Sequence, residues 1–184
     1  MNTTVIKLQR GEHITFADMD FIFLGYDEAG NYLCILANPI DGREMEFDKN
    51  NCNDWRKSSL RKYLNEEFIK RIGKDVLVPI ESDLTADNGD RSYGTCEDLI
   101  ALPSCDTYRE FRDVIPLFDE WMWTCTPWHC DPSYACNVRI VNTNGSIYDD
   151  VARYEYGVAP LVKFSSENLE LCRQAHLVRV NNND

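Results

Sequence analysis

Three cysteines and one histidine lie close together in the segment 125–136, where they could in principle ligate a metal. Thiolate and imidazole are groups that zinc prefers, and this segment holds Cys125, His129, Cys130 and Cys136, with Asp131 beside them. The spacing does not fit a zinc motif, because the cysteines are five and six residues apart and the chain has no C-x-x-C pair. We therefore expect no metal here, and core thiols or a local disulfide instead.

A thiol nucleophile is the second chemistry that these residues suggest. Such a site needs an imidazole that faces the thiol, and the only histidines are His13, His129 and His176. His129 directly precedes Cys130, and neighbouring residues on an extended strand point to opposite sides. No residue pattern indicates an oxyanion donor or a third orienting group. We expect that the protein is not an enzyme, and a thiol-dependent enzyme that uses Cys130 or His129 is our third hypothesis.

Cofactor motifs are missing elsewhere in the sequence. The chain has no phosphate-binding P-loop, no dinucleotide-binding glycine pattern and no H-E-x-x-H. The acidic segment 83–90 has the composition of a calcium loop, but it lacks the D-x-D-x-D-G order and the final glutamate of an EF-hand. We interpret it as a solvated turn and expect no cofactor.

Aromatic residues are the strongest signal for binding. Trp121, Trp123 and Trp128 lie within eight residues, a density that either fills a core or forms a binding face. Trp121 and Trp123 share strand parity, which favours a place in the core for both, whereas Trp128 follows Pro127 in a polar loop and is expected to be exposed. We expect a ligand to bind the irregular segments 127–137 and 148–156, with these candidate contacts: Trp128, His129, Tyr134, Tyr148, Asp149, Asp150 and Tyr154. For the two aspartates, a solvated loop residue is an equally good interpretation.

The hydrophobic pattern predicts the first elements that must position these residues. Segments 21–26 and 31–37 are rich in aromatic and β-branched residues and flank D-E-A-G, which predicts a hairpin with a four-residue turn. From residue 53 onward, apolar residues recur at every fourth position, which predicts an amphipathic helix: Leu60, Leu64, Phe68 and Ile72. Ser58 or Ser59 can cap its start, and Gly73 can end it.

The second half of the chain predicts one more helix and further strands. Thr107 and Glu110 have the spacing of a capping box, which predicts a helix that begins at Thr107 and ends at Pro116. Strands are predicted at 138–141, at 147–148 after a type I′ turn over Asn144-Gly145, and at 158–164. The polar segments 83–93 and 127–135 are predicted to be long loops, where binding sites usually lie.

Length and composition favour one folded domain. The chain has 184 residues, of which 43% are hydrophobic, so we expect one domain over 1–180 and a polar tail over 181–184. No apolar run approaches the roughly 20 residues that cross a bilayer, and the N-terminus lacks the pattern of a secretory signal. We therefore expect a cytoplasmic protein whose eight cysteines are free buried thiols rather than four disulfides.

The net charge of −12 argues against direct binding to nucleic acid or to an anionic membrane, since both need a basic face. The charge is unevenly distributed. Segment 81–120 holds eleven acids and three arginines, a net of −8, whereas 54–74 holds three acids and seven bases, a net of +4. A basic partner is compatible with this pattern, although an acidic surface beside a basic helix face is the simpler interpretation.

Four segments, in order, resemble a bacterial and phage domain family of unknown function. The chain reads W-R-K-S-S-L-R-K-Y-L-N from Trp55, W-M-W-T-C-T-P from Trp121, V-N-T-N-G-S-I from Val141 and Y-G-V-A-P-L from Tyr156. The family carries W-x-x-S-x-L-R-x-W-L-N, then W-W-L-R-[ST]-P, then v-x-x-x-G-x-i, then G-V-R-P. The resemblance extends over 11–164, with Thr124, Cys125 and Ala159 as departures from the usual leucine and two arginines.

That family is similar to the C-type-lectin-like group, which includes sulfatase-modifying-factor domains and the variable receptor proteins of diversity-generating retroelements. The resemblance implies an α+β fold: two helices packed on small, twisted antiparallel sheets, with the N- and C-terminal strands paired. The calcium-binding strings E-P-N, Q-P-D and W-N-D of sugar-binding relatives are missing here, and the paired-cysteine copper site of formylglycine-generating relatives has no counterpart among these eight cysteines. The resemblance therefore implies a binding scaffold, and fold alone does not fix its ligand.

Our leading hypothesis is a non-catalytic recognition domain of bacterial or phage origin that binds a protein or a glycan. The alternative is a phage anti-defence inhibitor that presents the acidic segment 81–120 to a basic, nucleic-acid-handling enzyme. Binding by such an inhibitor should weaken steeply with salt, whereas recognition through Trp128 should persist.

Overall fold

The computed structural model describes residues 7–174 and 178–181. Its mixture of helices and small sheets belongs to the α+β class, as expected. The strands are β1 His13–Phe16, β2 Met19–Tyr26, β3 Tyr32–Leu36, β4 Glu44–Glu46, β5 Ile80–Asp83, β6 Thr95–Asp98, β7 Ile100–Ala101, β8 Met122–Pro127, β9 Asn137–Val141, β10 Ile147–Val151, β11 Glu155–Gly157, β12 Leu161–Phe164 and β13 Val178–Asn181. The helices are α1 Ser59–Tyr63, α2 Ile69–Ile72, α3 Cys105–Phe111 and α4 Ser166–Gln174, with a π-helical turn, Leu64–Phe68, between α1 and α2. The expectation of two helices is therefore incomplete, because α4 follows the last predicted strand. Among the described residues, no helix is long and apolar enough to cross a membrane.

The strands form three sheets. The first has the order β13-β1-β2-β3-β12-β7, the second β10-β9-β8-β11-β4, and the third contains β5 and β6. All pairs are antiparallel except β8 and β11, which run parallel, so the expectation of purely antiparallel sheets is wrong at this position. β1 pairs with β13, which agrees with the expected pairing of the terminal strands. Asn181, expected in the tail, is the last residue of β13, and 182–184 lie outside the described residues.

The predicted first hairpin is confirmed as β2 and β3, although its turn has five residues, 27–31, instead of four. The Asp27 carboxylate holds the turn by accepting the backbone N–H groups of Ala29 and Asn31, at 3.0 and 2.9 Å. β2 is buried on both faces, with Phe21 in one core cluster and Ile22 in the other. Its continuous apolar run follows from this two-sided burial.

The predicted amphipathic helix is confirmed as α1, the π-helical turn and α2. Ser58 is the N-cap, since its hydroxyl accepts the N–H groups of Leu60 and Arg61. Gly73 ends the helix with φ +94°. Apolar residues spaced by four drift around a helix of 3.6 residues per turn. The wider π-helical turn compensates for that drift and keeps Leu60, Leu64, Phe68 and Ile72 in the core.

The second helix, α3, is present but its predicted cap is wrong. The N-cap is Ser104, whose hydroxyl accepts the N–H of Thr107, so the helix begins two residues before the predicted start. It ends at Phe111, well before Pro116. Ile115 is nevertheless buried with Tyr108, because a turn follows the helix in which the N–H of Ile115 donates to the carbonyl of Phe111.

The predicted strands near the C-terminus are found, but two details differ. β9 and β10 form a hairpin over Asn144-Gly145, yet only Gly145 has a positive φ, so the turn is not type I′. The N–H of Gly145 donates to Asn142, which gives a three-residue loop that ends in a left-handed glycine. The predicted strand 158–164 is shorter, as β12 begins at Leu161, after Pro160.

A two-residue turn of the type I′ geometry joins β1 to β2. Phe16 pairs with Met19, and the residues between them, Ala17 and Asp18, have φ of +50° and +57°. A left-handed backbone costs an L-residue other than Gly, Asn or Asp about 1–2 kcal/mol. We expect Ala17→Asn to raise the free energy of unfolding by about 0.5–1 kcal/mol in urea denaturation, because asparagine tolerates this conformation. The control is Ala29→Asn, at an exposed turn residue without a positive φ; equal effects of the two substitutions would contradict the turn geometry.

The strands β8 and β9 of the second sheet are packed on both faces, which fixes the ends of the loop that carries part of the candidate site. Trp123 and Ile140 pack with the helix residue Leu64 and with the first sheet in one cluster. Met122 and Val141 pack with α3 in the other cluster. β8 and β9 are therefore held between two layers, and the loop between them, residues 128–136, starts from rigid ends.

Candidate functional site

The two segments predicted to bind a ligand lie side by side, but the expectation that both are irregular is wrong for 148–156, most of which belongs to β10 and β11. Asn137 and Val151 are partners in the β9–β10 ladder, and the N–H of Ala152 donates to the carbonyl of Cys136 at 2.7 Å. Both predicted loops are present, as residues 84–94 between β5 and β6 and as 128–136 between β8 and β9. They touch each other, since the N–H of Asp87 donates to the carbonyl of Pro127.

Asn53 anchors the loop 128–136 from beneath. Its side chain is fully buried, and its Nδ2 donates to the carbonyls of His129 and Asn137 at 2.8 and 2.9 Å. Oδ1 of Asn53 accepts the Tyr93 hydroxyl at 2.8 Å, and the backbone N–H of Asn53 donates to the carbonyl of Ala135. Burial raises the pKa of Tyr93 to about 12, so the phenol stays protonated and keeps this bond at neutral pH. Sequence reasoning did not find Asn53, because its partners are 40 to 84 residues away in the chain.

Three of the predicted contacts form one aromatic cluster, which we name the loop cluster: Trp128, His129 and Tyr134. The Trp128 and Tyr134 rings lie 5.6 Å apart and almost perpendicular, and His129 lies 5.6 Å from Tyr134. Trp128 is half-buried rather than exposed, since Tyr134 packs edge-on against it, while Tyr134 itself is 52% exposed. Loop residues that are close in sequence thus present a contiguous aromatic surface.

Cys130 and His129 have separate partners. The Cys130 thiol donates to the carbonyl of Asp90 at 3.7 Å, whereas Nδ1 of His129 accepts the N–H of Asp131 at 2.8 Å. Burial and the neighbouring Asp90 carboxylate raise the pKa of Cys130. A reactive cysteine needs the opposite environment, one that stabilises the thiolate. This geometry gives the thiol-enzyme hypothesis no support.

The other cysteines make structural contacts in the same region. Cys125 is fully buried, and desolvation raises its pKa far above the usual range. The Cys136 thiol donates to Oδ1 of Asn137 at 3.2 Å. All eight cysteines are free, although Cys52, Cys136 and Cys172 are half-buried rather than buried. Within the described part of the chain, no group of three or more His, Cys, Asp or Glu residues is arranged to hold a metal ion.

The carboxylates of the acidic segment bind neighbouring groups. Asp83 accepts hydrogen bonds from Thr85, and Asp90 accepts them from Ser92. Of the eleven acids in 81–120, four pair with arginines: Asp87 with Arg139, Asp98 with Arg61, Asp106 with Arg109, and Asp113 with Arg10. Three of those arginines come from outside the segment, so its surface is less negative than its composition suggests.

Asp149 is joined to Asp87 of the acidic segment through Arg139, which binds both carboxylates. The Asp149 carboxylate accepts from Arg139 at 3.0 Å and from Nδ2 of Asn137 at 2.8 Å. Asp149 is therefore a structural residue of β10, and neither a solvated loop residue nor a free ligand contact.

A second aromatic surface, which we name the sheet strip, lies on the face of the second sheet that also carries Trp123. It is formed by Tyr148, Trp121 and Tyr156. Trp121 lies 6.4 Å from Tyr148, nearly parallel to it, and 5.4 Å from Tyr156. Tyr148 is 54% exposed. Trp121 is half-buried and packs against the outside of the first core cluster, so its expected place in the core is confirmed only in part. Trp123 is fully buried, as expected, and contacts Tyr156.

Asp150 lies at the sheet strip and binds the Tyr156 hydroxyl. Burial is the larger cause that raises the pKa of Tyr156, and the Asp150 carboxylate is the second, so the phenol stays protonated. Tyr154, in the turn between β10 and β11, is 48% exposed. Strand parity indicates from the sequence that Trp121 lies on the same face of the second sheet as Trp123. The place of Tyr156 on that face depends on the pairing of β11 with β8, which the sequence does not indicate.

Comparison with known proteins finds no family model that matches the chain and no significant match among curated sequences or solved structures. The C-type-lectin-like resemblance therefore stays an expectation.

Proposed function

We propose that this protein is a non-catalytic, cytoplasmic recognition domain of bacterial or phage origin, with a C-type-lectin-like architecture, which binds a protein or a glycan. The ligand would contact the loop cluster and the sheet strip, in segments 127–137 and 148–156. The observation that carries the proposal is the exposure of three tyrosines in this region, Tyr134, Tyr148 and Tyr154, each about half exposed. Tyrosine and tryptophan provide large contact areas with a polar end and are enriched among hot spots of binding.

Two further observations support this function. The loop cluster is held by the buried Asn53, and the sheet strip packs through Tyr156 on the fully buried Trp123, so both surfaces are ordered before a ligand arrives. Preordered aromatic side chains lose little conformational entropy on binding. Rings beside a carboxylate such as Asp150 suit the stacking and hydrogen bonding that a sugar or a peptide side chain requires.

Affinity capture from the producing organism and its phage-infected counterpart tests the proposal. We expect Tyr134→Ala and Tyr148→Ala to weaken retention of a partner at least about tenfold, since a hot-spot side chain contributes about 2 kcal/mol or more. The matched control is Leu171→Ala on α4, which removes an apolar side chain that is 58% exposed outside both surfaces. Retention should persist in about 1 M salt, where the Debye length is only about 3 Å.

Two outcomes would count against this function. Equal retention by the tyrosine variants and the wild type would remove both aromatic surfaces as the binding site. Loss of a basic, nucleic-acid-handling partner with salt, in all variants alike, would favour the alternative of an acidic inhibitor.

A further inference from the structure

β4 is an edge strand, because it is the last strand of the second sheet and pairs only with β11. Alternate residues of an edge strand direct their backbone N–H and C=O groups away from the sheet, where another strand can pair with them. Next to this edge, between β4 and the helix α1 with its π-helical turn, lies a groove of about 470 Å³, which we name the edge groove. The groove leaves room for an additional strand beside β4.

The edge groove offers apolar side chains on one face of β4 and acidic side chains on the other. Met45 on β4 and Leu60 and Tyr63 on the helix supply its apolar surface. Successive residues of a strand point to opposite faces, so Glu44 and Glu46 project to the face opposite to Met45. A strand that pairs with β4 would therefore place its side chains alternately against apolar and against acidic neighbours.

The charge of the edge groove is mostly negative. Five glutamates line it: Glu44, Glu46, Glu66, Glu67 and Glu155. The basic lining residues are Arg43, Lys49 and Lys62. Arg43 is paired with Asp41 and Glu67 with Lys70, both partners outside the groove, which leaves four glutamates against two lysines. Glu120 adds to the negative charge at one end, since it lies against Gly157, the ladder partner of Glu44. Basic side chains would find carboxylates on both walls.

From this edge and these charges we propose that the edge groove binds an extended basic segment of a partner protein, which adds to the second sheet as a strand beside β4. The segment alternates basic and apolar residues and spans about four to six residues, given the three residues of β4 and about 3.3 Å per strand residue. Glu155 and Tyr156 pair with Glu46 and Met45 of β4, so the edge groove adjoins the sheet strip. Its lining does not include Tyr148 or the loop cluster.

A second copy of this chain is a poorer occupant. Two β4 strands paired edge to edge would set Glu44 and Glu46 of one copy against the same residues of the other, and like charges in opposed positions are destabilising. The same glutamates therefore disfavour self-association and favour a basic strand.

Fluorescence polarisation with a labelled peptide of sequence Lys-Val-Lys-Val-Lys-Val tests the proposal. We expect this peptide to bind, and a Glu-Val-Glu-Val-Glu-Val peptide not to bind. A Lys-Val peptide N-methylated on alternate backbone amides keeps its charge but cannot form the strand hydrogen bonds, so it should bind about tenfold more weakly or worse. Equal binding of the methylated and unmethylated peptides would show electrostatic attraction without strand addition and overturn the proposal, as would no binding of the Lys-Val peptide at about 1 mM.

Variants of the protein locate the peptide. Glu44→Lys with Glu46→Lys should weaken binding of the Lys-Val peptide about tenfold or more, and Glu66→Lys, on the helix wall, should weaken it without a change in β4.

The control is Glu81→Lys with Glu97→Lys, two exposed acids that face each other on β5 and β6. Equal weakening by the control pair would overturn the site. Tyr148→Ala should bind the peptide like the wild type, so failure of this proposal and failure of the recognition function can be told apart.

Discussion

Replacement of Asp98 by alanine should lower the free energy of unfolding by about 3 kcal/mol or more, because removal of one partner of a buried ion pair leaves the other uncompensated. The Asp98 side chain is only 3% exposed and forms an ion pair with Arg61, whose Nη2 lies 2.7 Å from one carboxylate oxygen. It accepts hydrogen bonds from Nε1 of Trp55 at 3.0 Å, from Nε of Arg61 at 2.8 Å and from the Cys96 thiol at 3.4 Å. Without Asp98, a buried indole N–H and a partly buried guanidinium lose their partner.

Urea denaturation of a matched pair of variants tests this expectation. Asp106→Ala removes an acid that also pairs with an arginine, Arg109 at 2.7 Å, but its side chain is 91% exposed. Exposed ion pairs contribute about 0–1 kcal/mol, so this variant should be close to the wild type. Asp98→Asn, which can still accept the Trp55 N–H, should lie between the two. A loss for Asp98→Ala within about 1 kcal/mol of the Asp106→Ala value would show that the network does not join the helix to β6.

The motif W-R-K-S-S-L-R-K-Y-L-N, which begins at Trp55, is explained by this network and by two further sets of hydrogen bonds. Trp55 and Arg61 bind Asp98, and Ser58 caps α1 and donates to the carbonyl of Phe47. Asn65 pairs with the backbone of Ile100, accepting its N–H at 3.0 Å and donating to its carbonyl at 2.8 Å. These residue types are needed because each satisfies a specific buried group, so the motif specifies the scaffold and not a binding site.

Elements with strong local signals could be predicted from the sequence. The β2–β3 hairpin and the α1–α2 helix depend on hydrophobic patterns that span several turns or a whole strand. Helix starts and turn types that depend on one hydroxyl or one φ angle could not be predicted from the sequence. Ser104 caps α3 although Thr107 and Glu110 have capping-box spacing, and the type I′ geometry occurs at Ala17-Asp18 instead of Asn144-Gly145. In each case the surrounding fold selects between local options of similar energy.

The candidate site also contains residues that could be predicted from the sequence and residues that could not. Trp128, His129 and Tyr134 could be found because a short polar loop must bring them near each other. Trp121 and Tyr156 share a surface only because β11 runs parallel to β8, a pairing that no local pattern indicates. The edge groove likewise depends on the place of β4 at the end of its sheet.

Asn53→Ala should produce the largest local effect on the proposed binding surface. The change removes the amide donor from two part-buried carbonyls, those of His129 and Asn137, and leaves the Tyr93 hydroxyl without its acceptor. The Asn137 carbonyl keeps one partner, the N–H of Trp128. Each buried polar group without a partner costs about 1–3 kcal/mol, so we expect a total loss of about 3 kcal/mol, since the loop can relax towards water. Hydrogen exchange should accelerate in 128–136 more than in β8 or β9, because the Asn53 amide holds the loop and packing holds the strands.

The control is Asn50→Ala, at an exposed residue of the same segment. If both variants lose the same stability and their loops exchange equally fast, Asn53 does not anchor the loop, and the order of the loop cluster must come from the contact of Trp128 with Tyr134.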